Sequence, residues 1–272
     1  MGCHKSKTID NNSLLPNDLG NYKLVMMLGM GKFCNTYLFR KKRKCIHCNN
    51  IVVKKYKSKR NDFDIMWMEM QIIKKLRINP NKNITKCKIV NNNVFMEYCS
   101  RGDLFDVFKI KYPFDNKTII NYIYCISCAL LHLNNIGFIH RDIKLENILI
   151  TKDNNAKLCD FNLADIGINY KKRINGIGTV GYRAPEVYLS EYYDNKCDVW
   201  SLGTVLYILY NNDRPYQRNY NEPLSINDEI KIKKNWNKIP EKIKILLKRM
   251  LSFNANKRID IKETIDILKD HL

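Results

Sequence analysis

The stretch His140-Arg141-Asp142-Ile143-Lys144-Leu145-Glu146-Asn147 decides how the rest of the chain is understood. It sets a carboxylate, an ammonium group and a side-chain amide among the apolar residues Ile143 and Leu145. Taken singly, His140 reads as a packed structural histidine, and no proton-transfer role is assigned to it. Upstream, from Thr118 onward, Ile119, Ile123, Ile126, Leu130 and Leu133 fall along one side of a helix. Downstream, Ile148 to Ile150 and Ala156 to Cys159 read as short strands. Val199 to Tyr210, Lys242 to Leu251 and Ile261 to Leu268 read as further helices. This part of the chain is mainly helical.

Towards the N-terminus the period changes. Tyr22, Leu24, Met26 and Leu28 alternate as in a strand, and Gly29-Met30-Gly31 breaks the alternation. Thr36 to Arg40 and Ile51 to Tyr56 read as two more strands joined by a basic loop around Lys41 to Asn50. Ile65, Met68, Ile72 and Leu76 give Phe63 to Arg77 helical spacing, and Val94 to Tyr98 returns to strand character. The spacing predicts a small antiparallel sheet with one main helix, ending near Ser100. Ser6 to Asn21 is polar and weakly structured, and no internal repeat occurs.

The chain has 272 residues, 45% of them hydrophobic and 11% aromatic, enough for a buried core and unlike a disordered composition. Its 47 Lys and Arg against 27 Asp and Glu give a net charge of +20, which favours anionic surfaces. The same excess accords with a genome biased towards A and T, which enriches Lys, Asn, Ile and Tyr together, as in Asn91-Asn92-Asn93. The basic runs Arg40 to Lys44 and Lys54 to Arg60 lack aromatic interleaving, so no nucleic-acid partner is expected. Ten cysteines without an apolar leader in Met1-Gly2-Cys3-His4-Lys5 point to a reducing, intracellular setting. Cys45-Ile46-His47-Cys48 is half a zinc site without a second half, and reads as a turn. The longest apolar run, Val199 to Tyr210, is 12 residues, below the ~20 that cross a bilayer.

Leu28-Gly29-Met30-Gly31-Lys32-Phe33-Cys34-Asn35-Thr36 is a glycine turn between strands, where backbone N–H groups can approach a polyphosphate. Alone it is equally a hairpin turn. Joined to the motifs further along the chain, it gives an order over about residues 22 to 272 that resembles the protein kinase family. The resemblance implies an α+β, bilobal protein-kinase-like fold, with an N-lobe of about 22–99, a C-lobe of about 100–272 and a flexible segment 1–21. It implies binding of ATP by Leu28, Gly29, Met30, Gly31, Lys32, Phe33, Cys34 and Thr36. Ile51-Val52-Val53-Lys54 is similar to the third-strand motif, making Lys54 the cation on the phosphates and Glu69 its ion-pair partner. Phe95-Met96-Glu97-Tyr98-Cys99 is similar to the hinge, where backbone groups of Glu97 and Cys99 would hold adenine, with Met96 beside it and Asp103 facing the ribose.

His140 to Asn147 matches the family's catalytic loop at every defining position. A carboxylate at Asp142 can take or orient the proton of an incoming hydroxyl, and Lys144 can neutralise charge on the transferred phosphoryl group. Asn147 and Asp160 would bind Mg²⁺. Gly178 to Glu186 is similar to the segment that receives a substrate peptide, with Thr179 positioning Asp142 and Lys144. Lys144 and this segment are of serine/threonine type. Asp198 to Gly203 is similar to the helix that anchors the loop, and Arg258 is placed to pair with Glu186.

Two positions depart from the pattern. Asp160-Phe161-Asn162 has Asn where the family has glycine, and Asn tolerates the left-handed region that glycine permits, so altered switching is expected more than lost catalysis. Cys34 replaces a third glycine and is expected to keep the loop's shape. A pseudokinase scaffold that binds without efficient turnover is the alternative, and a salt-sensitive nucleic-acid binder a second rival. Between Asp160 and Thr179 only Tyr170 carries a hydroxyl, so dependence on a phosphoserine or phosphothreonine there is not expected. Met1-Gly2-Cys3-His4-Lys5-Ser6-Lys7 fits myristoylation at Gly2, with Cys3 placed for palmitoylation and the charge favouring an anionic membrane surface. Asp103 and Glu146 would attract basic residues before the target hydroxyl of protein substrates.

Overall fold

The computed structural model describes residues 18–31, 33–42, 50–57, 63–166, 177–189, 193–216 and 235–272, which form two compact units. The first comprises the chain up to Met66 together with Lys86–Tyr98. Its strands are β1 (Asp18–Leu19), β2 (Tyr22–Met30), β3 (Cys34–Lys41) and β4 (Asn50–Tyr56), then β5 (Cys87–Val90) and β6 (Asn93–Glu97) after helix α1 (Phe63–Ile78). They make one antiparallel sheet in the order β1-β2-β3-β4-β6-β5. Its core is Tyr37, Phe39 and Val53, with Leu24, Met27 and Phe95 packed on them.

The alternation of Tyr22, Leu24, Met26 and Leu28 does not mark one buried face. Register shifts fall between Leu24 and Met26 and between Met27 and Gly29. A bulge moves the following residues to the opposite face, so Met27 turns inward while Met26 and Leu28 are about half exposed. Nor does the strand stop at Gly29, since it stays paired to Met30, opposite Asn35. Asn91 and Asn92 are also more than a compositional bias. Both have positive φ, 48° and 58°, between the paired Val90 and Asn93. That is a two-residue hairpin turn of the type Asn favours.

The second unit comprises Trp67–Thr85 and Cys99–Leu272. Residues of α1 join it because Ile72 and Leu76 are buried in its core, and Ile84 bridges Leu158. The chain continues through α2 (Leu104–Lys111), α3 (Asn116–Asn135), β7 (Phe138–Ile139), β8 (Ile148–Ile150), β9 (Ala156–Leu158), β10 (Asp165–Ile166), α4 (Pro185–Leu189), α5 (Lys196–Asn211), α6 (Glu241–Met250) and α7 (Ile261–Lys269). Asp103, Asp115 and Asp260 cap α2, α3 and α7, each accepting a backbone N–H of the first turn. Helix α5 is buried on all sides from Cys197 to Asn211, as the run of apolar residues requires. Gly203 lets it approach α6, because a Cβ there would lie 2.9 Å from Met250 Cβ. The chain is thus α+β, an antiparallel sheet followed by a mainly helical part. Among the described residues no helix is long and apolar enough to cross a membrane.

Candidate active site

The loop between β7 and β8 is shaped by a buried carboxylate. Asp198, in the first turn of α5, accepts the N–H of His140 on Oδ2 and that of Arg141 on Oδ1, both at 2.8 Å. Burial pushes its carboxyl pKa up, while His140, Arg141 and the two amides pull it down. Held this way, Arg141 adopts φ 66°, a conformation that costs a non-glycine residue about 1–3 kcal/mol. His140 Nε2 lies 3.1 Å from Cys159 O, and its Nδ1 3.3 Å from the Asp142 backbone nitrogen, so the ring bridges the two segments. Its ring meets Phe161 edge-on at 5.5 Å.

This frame directs Asp142 at three partners. Its Oδ1 accepts from Thr179 Oγ1 at 2.6 Å, and its Oδ2 from Lys144 Nζ at 2.8 Å and Asn147 Nδ2 at 3.0 Å. Lys144 Nζ also donates to Thr179 Oγ1 at 2.8 Å. A carboxylate, a cation and a hydroxyl therefore share one small space. Gly178 completes it from the far side, with φ 92° and no room for a Cβ, which would stand 2.5 Å from Arg141 O.

Asn147 uses Nδ2 on the Asp142 carbonyl as well, at 2.8 Å, which makes Oδ1 its acceptor atom. Its own carbonyl accepts the Cys159 N–H at 3.0 Å, bringing Asp160 up beside it. The site thus offers two hard oxygen donors. Among the described residues no group of three or more His, Cys, Asp or Glu side chains is placed to hold a metal ion. Two protein oxygens with the remaining positions left to water and phosphate suit Mg²⁺, which keeps much of its own shell, better than a metal needing a full protein cage. Cys45 to Cys48 lie outside the described residues.

The left-handed residue of Asp160-Phe161-Asn162 is Asp160, φ 64°, and not Asn162. The segment turns at the aspartate, Asn162 N–H facing Asp160 Oδ1 at 3.4 Å and Ala164 N–H closing on Phe161 O at 3.1 Å. Phe161 is buried, and its N–H points at Glu69 Oε1 across 3.4 Å. Arg141 is clamped by residues beyond this turn: Nη1 pairs with Asp165 at 2.9 Å and Tyr193 Oη at 3.0 Å, and Nε donates to Leu163 O at 2.6 Å. No local pattern in the sequence marks Asp165 or Tyr193 for this task. Tyr170 lies outside the described residues.

Asp103 has a second task beyond those expected of it. It caps α2 through Asp106 N–H at 2.9 Å, ahead of Leu104, Val107 and Phe108 at helical spacing. Burial raises its pKa, and the charges of Asp106 and Glu146 add to that. Cys99 is buried, and its carbonyl accepts from Gly102 N–H at 3.2 Å. Below the site Arg258 holds both oxygens of Glu186, at 2.5 and 2.9 Å.

The remaining candidates belong to the first unit. Leu28, Gly29, Met30 and Gly31 run along β2 to the tip of the hairpin, and Cys34 and Thr36 return along β3. The tip closes through Gly31 N–H to Cys34 O at 2.9 Å, Phe33 O accepts from Lys57 N–H, and Lys57 Nζ donates to Gly31 O at 2.6 Å. Lys32 lies outside the described residues. Lys54 pairs with Thr36 and Val94, and its buried Nζ stands 5.6 Å from the Tyr56 ring centroid. Glu97 ends β6, where its N–H donates to Lys86 O at 3.0 Å.

Residues 22–267 match the protein kinase domain family. The chain is 29% identical over 267 residues to an Aurora kinase of Candida glabrata, covering 94% of this chain and 71% of that protein. It is 31% identical over 277 residues to calcium-dependent protein kinase 4 of Plasmodium falciparum, covering 95% of this chain and 50% of that protein. With serine/threonine-protein kinase ppk16 of Schizosaccharomyces pombe it shares 33% over 207 residues, 73% of this chain and 30% of that one. The chain thus spans half or less of two of these relatives. A match over nearly the whole sequence, joined to a loop that brings Asp142, Lys144, Asn147 and Thr179 together, places this chain in the protein kinase family.

Proposed function

We propose that the chain is a protein serine/threonine kinase that transfers the γ-phosphoryl group of ATP to Ser or Thr hydroxyls of protein substrates, with Mg²⁺. The observation that carries this is the Asp142 carboxylate set between Thr179 Oγ1 at 2.6 Å and Lys144 Nζ at 2.8 Å. Asp142 takes the proton of the acceptor hydroxyl as its oxygen bonds to phosphorus and the bond to the ADP oxygen breaks. Lys144 offsets the charge carried by the phosphoryl oxygens in that step. Thr179 is a positioning residue, fixing the carboxylate and the ammonium group against one another. Asn147 Oδ1 and the Asp160 carboxylate would hold Mg²⁺, which when bound would supply charge neutralisation on the phosphates.

In the same assignment Lys54 is the cation on the phosphates, with Glu69 the ion-pair partner that the family likeness implies, and the glycine hairpin from Leu28 to Thr36 covers them. Backbone groups of Glu97 and Cys99 take adenine, and Asp103 the ribose. The mutual charge of Asp103 and Glu146 supports a preference for basic residues before the acceptor. The test is transfer of phosphate from Mg-ATP to a mixed peptide library, with Asp142→Asn as control. Asp142-dependent transfer is expected, and nucleotide binding without transfer would instead favour the pseudokinase, whose motive is Asn162 and Cys34.

The N-terminal pattern supports a tether as well, with myristoyl on Gly2 and palmitoyl on Cys3, both outside the described residues. One myristoyl chain binds marginally, and the +20 charge adds attraction to an anionic leaflet. Gly2→Ala should move the protein out of the membrane fraction, and unchanged fractionation contradicts the tether.

A further inference from the structure

Helix α1 turns a face outward that the kinase assignment does not use. Its residues Glu69, Ile72, Ile73 and Leu76 are buried, and Met68, Ile72 and Leu76 pack into the core of the second unit. A helix advances about 100° per residue, which leaves Trp67, Gln71, Lys74 and Ile78 within an arc of about 60° on the opposite side. Lys75 and Arg77 fall about 80° to either side of Trp67. Trp67 is 47% exposed and Ile78 76%, and Lys74, Lys75 and Arg77 are exposed with them. Trp67 and Ile78 lie about 16 Å apart along the axis, with Lys74 between them. Trp67 to Ile78 belongs wholly to the second unit, so the face is one surface.

The face carries one sign of charge. From Trp67 to Ile78 the only acid is the buried Glu69, and between Glu69 and Glu97 the sequence has six Lys and Arg and no Asp or Glu. The helix dipole favours Lys75 and Arg77 in the last turn, as in any helix, but gives no reason for a tryptophan and an isoleucine to face water. Indole, ammonium and aliphatic groups on one exposed helix face suit the boundary of a bilayer. There an indole sits among the headgroups, an isoleucine reaches the acyl chains, and lysine stems return their ammonium groups to the phosphates.

We propose that the face of α1 from Trp67 to Ile78 binds the anionic surface of a lipid bilayer. Lys74, Lys75 and Arg77 meet a negative leaflet, where each cation multiplies partition about fivefold. The contact rests on the same membrane reading as the acyl tether but needs neither acyl chain. An acidic protein segment is the other partner that these cations would attract, and the test separates the two.

The full chain carrying Gly2→Ala and Cys3→Ala, which can bear neither acyl group, is titrated with vesicles of phosphatidylserine and phosphatidylcholine, or of phosphatidylcholine alone, at physiological ionic strength. Excess lipid detects a contact too weak to hold the chain in a membrane fraction by itself, and the acyl tether stands or falls separately on the fractionation of Gly2→Ala. The chain has three tryptophans, and Trp200 and Trp236 are buried, so a blue shift of emission on binding reports Trp67. Bulk charge is controlled by matched pairs: Lys74→Glu with Lys75→Glu, and Lys242→Glu with Lys248→Glu on the exposed side of α6, each lower the net charge from +20 to +16, two units per substitution. Binding to phosphatidylserine vesicles alone, with a blue shift, is expected. The α1 pair should weaken it roughly thirtyfold and the α6 pair no more than about threefold. Trp67→Ala, which leaves the charge unchanged, should weaken it several-fold. No binding, binding without a blue shift, or equal weakening by the two pairs overturns the proposal. A polyglutamate peptide that shifts the emission as far as the vesicles do gives the face to an acidic protein segment and overturns the lipid assignment.

Discussion

The glycine hairpin of the first unit and the loop 140–147 of the second hold candidate site residues by opposite means. In the hairpin, backbone pairs with backbone: Thr36 faces Lys54, and Lys54 faces Val94, in a ladder that any strand-forming side chain can occupy. In the loop, backbone is pinned by side chains, two amides by Asp198 and the Asp142 amide by His140 Nδ1. The hairpin depends on periodicity and the loop on the identity of a few buried polar groups. Single substitutions in the loop frame should therefore weigh more than those on the ladder or the surface.

Asp198→Ala is the severest test. Two buried amides lose their acceptor at about 1–3 kcal/mol each, so stability should fall by roughly 4 kcal/mol in urea unfolding. A loss under about 1 kcal/mol would break the contrast. Next come two bidentate ion pairs of similar geometry and different burial. Glu186–Arg258 is almost fully enclosed, with Arg258 Cζ 5.1 Å from the Trp200 ring centroid, whereas Arg249–Glu263 is more than 40% exposed on both sides. Arg258→Ala should cost about 3–5 kcal/mol and Arg249→Ala less than about 1 kcal/mol. Equal costs would mean that burial does not decide.

The smallest effect expected is at the start of α3. Asp115 accepts Thr118 N–H at 2.8 Å and its hydroxyl at 2.7 Å, and these bonds to the charged form lower the carboxyl pKa. A folded pKa below the unfolded one stabilises the protein above about pH 4, and the gain is lost as pH falls through the folded value. Asp115→Ala should therefore cost about 1 kcal/mol at pH 7, and the difference from wild type in thermal unfolding should shrink in acid. A difference that grows in acid reverses the sign and rules out the cap as its cause.

The same contrast explains what could be read in the sequence. Ile119 to Leu133 announced its helix because burial repeats with the helical period, and Val199 to Tyr210 because an unbroken apolar run suits a helix buried on all sides. The loop was legible through the identity of Asp142, Lys144 and Asn147, since chemistry at fixed spacing leaves few substitutes. Tyr22 to Leu28 marked a strand, but which of its residues face inward was not legible, because a bulge is invisible to a two-residue period. Helix α2 carried its signal, Asp103 with Leu104, Val107 and Phe108, in only eight residues. The left-handed turn at Asp160 instead of Asn162 and the clamp of Asp165 and Tyr193 on Arg141 depend on contacts between distant segments. No local pattern encodes these.

The central claim, that Asp142 is the working carboxylate of a phosphoryl transferase, is tested most directly by comparing wild type and Asp142→Asn under saturating Mg-ATP. Peptide phosphorylation and nucleotide binding are measured on the same preparations. Robust transfer by wild type is expected, with a loss of about a hundred- to ten-thousandfold in kcat in the variant and binding of Mg-ATP retained. Equal transfer by both proteins would contradict it, as would a wild-type chain that binds Mg-ATP and transfers nothing.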